Sequence, residues 1–270
     1  MNLMFKLIAG LKASRVETRI VAAAKAGEEA TIYLYDPIYG SRMMAEWCGG
    51  VCAQDLVPDI DAIDADTIRL RINCPGGDVF GMRAIMNALR NHKAKVIAQI
   101  DSLCASAATG IACAADEVIV EKGALYMVHN CHGYAYGNKH ELRSQADVMD
   151  KVDQELVDSY MARTGKKEDE VRAWMDAETW FTAEQCVEAG FADSIKTASK
   201  DDKDGKKAMA RWDLSGYANA PKAEQAPAPQ PEPQPEPIAE PETISAEHRE
   251  RQQQRMRVLS ATSSQAPLAQ

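Results

Sequence analysis

The chain has 270 residues, 46% of them hydrophobic, which suffices for one large domain with a tail or for two small domains. Its formal net charge is −9, from 40 acidic and 31 basic side chains. Because the basic residues form no concentrated cluster, a nucleic-acid-binding surface is not expected. No apolar run reaches transmembrane length, and the first apolar run is interrupted at Lys6 and Lys12. These features predict a soluble, cytoplasmic protein without a membrane partner.

The order of the predicted elements indicates an α/β fold. Residues 1–30 read as a helical or loose leader, Thr31–Tyr35 as a first strand and Ala45–Val57 as a helix. Strands and helices then alternate. The strands are predicted over Thr67–Ile72, Val96–Ile100, Val118–Val120 and Leu125–Val128, and the helices over Val79–Arg90 and Ala105–Ala115. Such alternation is typical of parallel strands joined by crossover connections.

A long helix is predicted over Lys139–Arg163, where apolar residues three or four positions apart form a stripe from Leu142 to Tyr160. Such a stripe either packs into the core of its own chain or projects and pairs with another subunit, and the pattern favours neither. The short helices Glu168–Met175 and Ala183–Glu188 follow, and the segment Phe191–Ile195 closes the fold.

The composition changes after about Lys196. A charged stretch leads into Ala223–Glu242, which is almost entirely Pro, Glu, Ala and Gln and cannot bury apolar area. Beyond it, Ala246–Leu259 is polar and is expected to form a short helix only with a partner. The sequence therefore predicts a leader (1–30), a folded domain (31–198) and a disordered tail (199–270).

Three short motifs carry the chemistry. They read INCPGGDV over Ile72–Val79, CASAA over Cys104–Ala108 and YMVHN over Tyr126–Asn130. A serine hydroxyl is a weak nucleophile that needs an adjacent base. Ser106 follows a predicted strand and opens a predicted helix, and His129 ends the neighbouring strand, where a neutral imidazole can take the serine proton.

The same motifs supply donors for a tetrahedral oxyanion, which needs preorganised N–H groups. The two glycines after Pro75 allow backbone shapes that other residues resist. We therefore predict an oxyanion hole formed by the amide of Gly76 or Gly77 together with the amide of Ala107. This chemistry uses no cofactor and no metal.

In this order and context the segment resembles the Clp protease proteolytic subunit (ClpP) family of serine peptidases. That family shows an N-S-P-G-G turn, a Ser in an A-A-S-M-G setting and a His in an M-I-H-Q-P setting, followed by a long handle helix. Its later acidic residue before an F-[LM]-[ST]-A segment, and its G-[LIF]-x-D-x-I ending, resemble Glu178–Ala183 and Gly190–Ile195. The resemblance covers roughly Thr31–Ile195. It implies the ββα spiral of ClpP and crotonase-type proteins, with a protruding handle helix.

The resemblance also implies roles for individual residues. Ser106 becomes the nucleophile and His129 the general base, and the acidic member of the triad falls on Glu178, where the family usually has Asp. Asp176 is the rival for that role. Two further departures, Cys74 for the family's Ser before Pro-Gly-Gly and Ala108 for its Gly after the nucleophile, leave the mechanism possible.

The segments before and after the predicted domain indicate which partners to expect. Residues 1–30 do not resemble the family's N-terminal segment, which couples to an unfoldase ATPase, so an ATPase partner is in doubt. The appended tail makes the chain resemble head maturation proteases of tailed phages and prophages. The resemblance implies a homo-oligomeric ring, stacked rings included. It also implies a capsid or scaffold protein as substrate, in the host cytoplasm or the assembling prohead.

Three alternatives stay open at this stage. They are a ClpP paralogue for general ATP-dependent protein turnover, a crotonase-fold acyl-CoA enzyme, and an inactive ClpP-like assembly subunit. The Ser106 and His129 pair favours a peptidase over crotonase chemistry, which typically uses Glu acids and bases. An intact Ser and His also argue against an inactive subunit, whereas the Glu at position 178 keeps that alternative open.

Overall fold

The computed structural model describes residues 19–21, 29–196, 214–221 and 250. Contacts divide the chain into one unit over Met1–Pro221 and another over Lys222–Gln270. Most of the predicted leader, most of the predicted tail and all but residue 250 of the predicted terminal helix lie outside the described residues. Within the described part, no helix is long and apolar enough to cross a bilayer. The same residues hold no group of three or more His, Cys, Asp or Glu suited to a metal ion.

The described residues form ten strands, seven α-helices and one 3₁₀ helix, over Leu214–Gly216. The strands are β1 (Arg19–Val21), β2 (Glu29–Leu34), β3 (Ile38–Tyr39), β4 (Val51–Cys52), β5 (Thr67–Cys74), β6 (Lys95–Ala105), β7 (Glu117–Glu121), β8 (Leu125–Val128), β9 (Thr179–Phe181) and β10 (Ser194–Lys196). The helices are α1 (Arg42–Cys48), α2 (Ala53–Asp61), α3 (Val79–Asn91), α4 (Ala107–Ala112), α5 (Lys139–Thr164), α6 (Glu168–Asp176) and α7 (Ala183–Ala189).

The main sheet runs in the order β1-β2-β5-β6-β7-β10, and all neighbours pair in parallel except β1 with β2. The long strand β6 has two successive partners on the same side. Its residues 97–100 pair with β7, and its residues 103–105 pair in parallel with β8. Strand β9 then adds to β8 in antiparallel orientation. The end of β6 is therefore held beside the end of β8.

The core lies between this sheet and the helices packed on it. Strand β5 alternates partly and fully buried residues until it becomes buried throughout at its carboxyl end, which is the pattern of a strand entering the protein interior. Near α5, α6 and α7 the core is aromatic. Phe191 lies at its centre, with four ring centroids between 4.8 and 5.7 Å away, those of Tyr126, Tyr160, Trp174 and Phe181.

Helix α5 buries one half of its apolar stripe and leaves the other half exposed. Leu156, Val157 and Tyr160, in its second half, are buried in the core. In its first half Leu142 and Val148 stay more than 40% exposed. The helix is capped at Asn138 by a capping box with Glu141 and ends at Gly165, whose φ of 70° suits glycine. The exposed half is the projecting handle that the sequence predicts.

Two predicted helices were wrong in extent. The helix expected over Ala45–Val57 is two helices, α1 and α2, because Gly49 ends α1 at a positive φ of 75°, which glycine tolerates, and β4 follows. The helix expected over Ala105–Ala115 shortens to α4, because β6 continues through Ala105 to pair with β8. The other predicted strands and helices of residues 67–195 are confirmed, with boundary shifts of a few residues at most except at the carboxyl end of β6.

Candidate active site

Ser106 occupies a strained turn between β6 and α4. Its φ of 54° and ψ of −128° lie in a region that non-glycine residues rarely adopt, at a cost of about 1–3 kcal/mol. The turn is held from both sides. The Ser106 amide donates to the carbonyl of Met127 (2.9 Å), and the Ser106 carbonyl accepts from the Thr109 hydroxyl (2.5 Å). Strain held in this way is typical of a functional position, and it presents the Ser106 hydroxyl at the carboxyl end of the sheet.

His129 lies next to Ser106 because of the strand register. Ala105 in β6 pairs with Met127 in β8, so the residues that follow each strand meet at the same edge. The Nε2 atom of His129 is 2.7 Å from the Oγ atom of Ser106, which is hydrogen-bond distance. The structure thus brings together the two residues that the sequence singled out.

The surroundings of His129 keep its imidazole neutral. The side chain is buried, and this burial is the main cause that lowers its pKa from 6.5 to about 4. The ring of His132 lies edge-on at 4.5 Å and lowers the pKa further, whereas the carboxylate of Glu178 acts in the opposite direction. At neutral pH the ring is therefore in the form that can accept a proton from Ser106.

Glu178 lies near His129 but hydrogen bonds elsewhere. Its Oε1 accepts from the Asn219 amide (2.7 Å) and the Trp180 indole (3.3 Å), and its Oε2 accepts from the Ala218 amide (3.1 Å). The Nδ1 atom of His129 is buried and has no hydrogen-bond partner within the described residues. A buried polar atom without a partner costs about 1–3 kcal/mol. Glu178, with a φ of 48°, is also the second described non-glycine residue at positive φ besides Ser106.

Asp176, the rival acid, is tied to a different partner. It is exposed at the end of α6, and its Oδ1 accepts from the Asn130 side chain at 2.8 Å. Of the two acids, Glu178 is the buried one and the one whose charge acts on the pKa of His129.

We expect Asp176→Asn to change kcat/KM less than about threefold, because an exposed acid bonded to Asn130 contributes little to the charge on His129. Peptide hydrolysis by this variant, measured beside Glu178→Gln, checks the assignment. A loss for Asp176→Asn larger than that for Glu178→Gln would transfer the acid role to Asp176.

The Pro75-Gly76-Gly77 turn packs against the Ser106 turn. Gly76 has a φ of 95°, and a Cβ atom built on it would lie 2.6 Å from the Ala105 carbonyl oxygen and 2.7 Å from the Ser106 Cβ. The Gly76 amide donates to the Sγ of Cys74 (3.3 Å), so it is already engaged. Of the two glycine amides predicted for an oxyanion hole, this engagement favours that of Gly77.

A cleft of about 690 Å³ opens in front of Ser106 and His129. Its walls include the glycine turn, α1, the loop after β8 and two buried residues of α5, Leu156 and Tyr160. Gly216 and Tyr217 also line it. These two residues lie in the region predicted as a disordered tail, where Leu214–Pro221 instead packs on the domain. This contact was not predicted, and the apolar Trp212, Leu214 and Tyr217, which follow the charged stretch, were the available signal.

Comparisons with known proteins agree with this architecture. Residues 15–199 match the family model described as Clp protease. The ATP-dependent Clp protease proteolytic subunit 1 of Leifsonia xyli is 27% identical over 162 residues, which cover 59% of this chain and 82% of that protein. The subunit 1 of Mycobacterium tuberculosis is 28% identical over 168 residues, covering 58% and 80% respectively.

A solved structure shows the same fold. A ClpP1 mutant from Listeria monocytogenes superposes with a TM-score of 0.52 at 20% sequence identity, covering 65% of this chain and 93% of that one. The α/β fold predicted from the sequence, a ClpP-type spiral with a handle helix, is thereby confirmed. Since the family model spans more than half of the chain, this protein belongs to the Clp protease family.

Proposed function

We propose that the chain is a serine endopeptidase in which Ser106 is the nucleophile and His129 the general base. The observation that carries this proposal is the 2.7 Å contact between His129 Nε2 and Ser106 Oγ in a cleft beside a strained strand-to-helix turn. Membership of the Clp protease family favours peptide hydrolysis over the acyl-CoA alternative.

The geometry supports an acyl-enzyme route. Ser106 Oγ attacks the scissile carbonyl carbon while its proton moves to His129 Nε2, and the amides of Gly77 and Ala107 stabilise the oxyanion. The C–N bond then breaks, His129 returns the proton to the leaving amine, and Ser106 carries the acyl group. Water, deprotonated by His129, attacks the ester and releases the acid with Ser106 restored. Glu178 is the proposed acid that stabilises the imidazolium through Nδ1.

Active-site labelling tests this assignment. A fluorophosphonate probe should modify the protein at Ser106, located by mass spectrometry of the digested chain. Ser106→Ala should remove that modification while leaving thermal unfolding and particle size unchanged. If the folded, assembled wild-type protein shows no modification of Ser106 even after prolonged exposure, the nucleophile assignment fails.

We further propose that the natural substrate is a capsid or scaffold protein cut during phage head maturation. The support comes from the sequence: residues 1–14 lie outside the match to the family model, and a Pro- and Glu-rich segment follows the peptidase domain. The alternative is ATP-dependent protein turnover, which is favoured by the similarity to ATP-dependent Clp protease proteolytic subunits.

Co-expression separates these two roles. The wild-type chain and Ser106→Ala are each expressed with a capsid and scaffold gene set, and the ends of the products are read by mass spectrometry. Defined cuts that appear only with wild type support head maturation. Casein degradation that requires ATP and an added Clp unfoldase, with intact capsid and scaffold proteins, would support turnover instead.

Ring assembly is the third part of the proposal. The exposed first half of α5 presents Leu142 and Val148 to solvent, as expected for a helix that pairs with another subunit. We expect light scattering to give a particle of many subunits. Leu142→Asp should lower the number of subunits in the particle. Ser144→Asp, which introduces the same charge on the opposite face of the same turn, should not. An unchanged particle with Leu142→Asp would exclude this face as the contact.

A further inference from the structure

Residues Leu214–Pro221, here called the Tyr217 segment, bind the domain at the active site. The Tyr217 side chain is only 6% exposed and packs with Leu103, Ala105 and Met127. Its ring lies edge-on to that of Trp180 at 5.5 Å, and its hydroxyl donates to the Pro75 carbonyl at 2.6 Å. Tyr217 thus anchors the segment between the glycine turn and β9.

The backbone of the same segment binds the proposed triad acid. The amides of Ala218 and Asn219 each donate to one carboxylate oxygen of Glu178, at 3.1 and 2.7 Å. The Asn219 side chain also donates to the Ala177 carbonyl at 2.8 Å, which fixes the segment beside Glu178. Both oxygens of Glu178 are therefore engaged by donors other than the imidazole.

The histidine shows the consequence of these contacts. His129 Nδ1 is buried without a hydrogen-bond partner in the described part of the chain, although Glu178 is close enough to act on its charge. The Tyr217 ring lies 5.8 Å from the His129 ring. A segment that positioned Glu178 for catalysis would leave one carboxylate oxygen on Nδ1. The observed arrangement instead directs the carboxylate to the segment.

We propose that the Tyr217 segment is an autoinhibitory latch that holds Glu178 away from His129. Its release lets Glu178 turn and accept a hydrogen bond from Nδ1, which completes the triad without any covalent change. The inference rests on the proposed serine peptidase function and names a regulation of that site. Because Gly216 and Tyr217 also line the cleft, the latch and an extended substrate compete for the same space.

The test compares the rate at which a fluorophosphonate modifies Ser106 in the full-length chain, which does not require a known substrate. Tyr217→Ala removes the anchor and should raise the rate at least about tenfold, because a catalytic histidine without its oriented acid loses up to about 10⁴-fold in activity. Tyr217→Phe loses only the bond to Pro75 and should give a smaller gain. The double variant Tyr217→Ala with Glu178→Gln should lose the gain.

A second pair of variants acts on the backbone donors. Asn219→Pro removes the amide that donates to Glu178 at 2.7 Å, whereas Asn219→Ala keeps that amide and removes only the side-chain bond to Ala177. The latch predicts a larger rate increase for Asn219→Pro than for Asn219→Ala. Thermal unfolding and light scattering confirm that each variant is folded and assembled before its rate is compared.

The outcomes distinguish a failure of the latch proposal from a failure of the proposed peptidase function. If Ser106 is modified in wild type but Tyr217→Ala and Asn219→Pro leave the rate unchanged or lower it, the segment is not a latch and the peptidase assignment stands. If the rate increase caused by Tyr217→Ala persists when Glu178→Gln is added, the latch is also excluded, because the latch acts only through the Glu178 carboxylate. If Ser106 is modified in neither wild type nor the released variants, the proposed function itself fails.

Discussion

His129→Ala should lower kcat by about 10⁶-fold when it is made in the released Tyr217→Ala background, the scale found when one member of a complete serine catalytic unit is removed. The reason is geometric: Nε2 of His129 is the only ring nitrogen within hydrogen-bond distance of Ser106 Oγ among the described residues. Without it, nothing described at the site can take the serine proton or return it to the leaving amine. Initial rates on a fluorogenic peptide measure the effect, with the fluorophosphonate labelling rate as a second measure.

His132→Ala is the matched control for that change. The ring of His132 lies edge-on to that of His129 and lines the same cleft, but within the described residues no hydrogen bond joins it to Ser106. We expect a loss below about tenfold, since the base itself remains. Comparable losses for His129→Ala and His132→Ala, in folded and assembled proteins, would contradict the assignment of His129 as the base.

The pH profile provides an independent check on the same residue. The base must be neutral, so kcat/KM falls as the pH drops through the pKa of His129. Burial, with His132 beside it, lowers that pKa to about 4, while Glu178 opposes the shift. Among the described residues, the His129 ring contacts His132, Tyr217 and Ser106, and the charge of Glu178 acts on it. We expect the acid limb near pH 4, and a limb near 6.5 would show a solvated imidazole instead.

The parts of the structure that could be predicted from the sequence are those set by local patterns and by strand topology. The strand at Thr67–Ile72 and the helix α5 could be predicted, because their alternation and 3.6-residue period are patterns of residues close together in the sequence. The pairing of Ser106 with His129 could also be predicted, because both residues follow strands and parallel strands place their carboxyl ends at one edge. Residues 23 positions apart were thus brought together by topology alone.

Contacts set by long-range packing could not be predicted in this way. The Tyr217 hydroxyl bonds to a carbonyl 142 residues earlier, and no periodicity in the sequence indicates that pairing. The direction of the Glu178 side chain depends on the Ala218 and Asn219 amides, so its role could not follow from its position in a motif. The engagement of the Gly76 amide likewise depends on a backbone turn that brings it to the Cys74 side chain.

Gly76→Ala should lower kcat by about 10²- to 10³-fold, the cost of losing one oxyanion donor. A Cβ at this position would lie 2.6 Å from the Ala105 carbonyl, 2.7 Å from the Ser106 Cβ and 2.9 Å from the Ala107 nitrogen. All three neighbours belong to the nucleophile turn, and none is the end of a flexible side chain. The glycine turn must therefore move away from Ser106, which displaces the Gly77 amide from the proposed oxyanion position.

Gly123→Ala separates this steric effect from backbone strain. Gly123 has a φ of 89°, close to the 95° of Gly76, but a Cβ there meets nothing within 4 Å. Both variants therefore carry the left-handed strain of alanine, about 1–2 kcal/mol of folding free energy, and only Gly76→Ala adds a collision at the active site. Urea unfolding should show the backbone strain in both variants and a further destabilisation from the collision in Gly76→Ala, whereas kinetics should show a large loss in Gly76→Ala alone. Equal kcat values in the two variants would mean that the glycine turn does not contribute to the oxyanion hole, since the collision would then have no catalytic consequence.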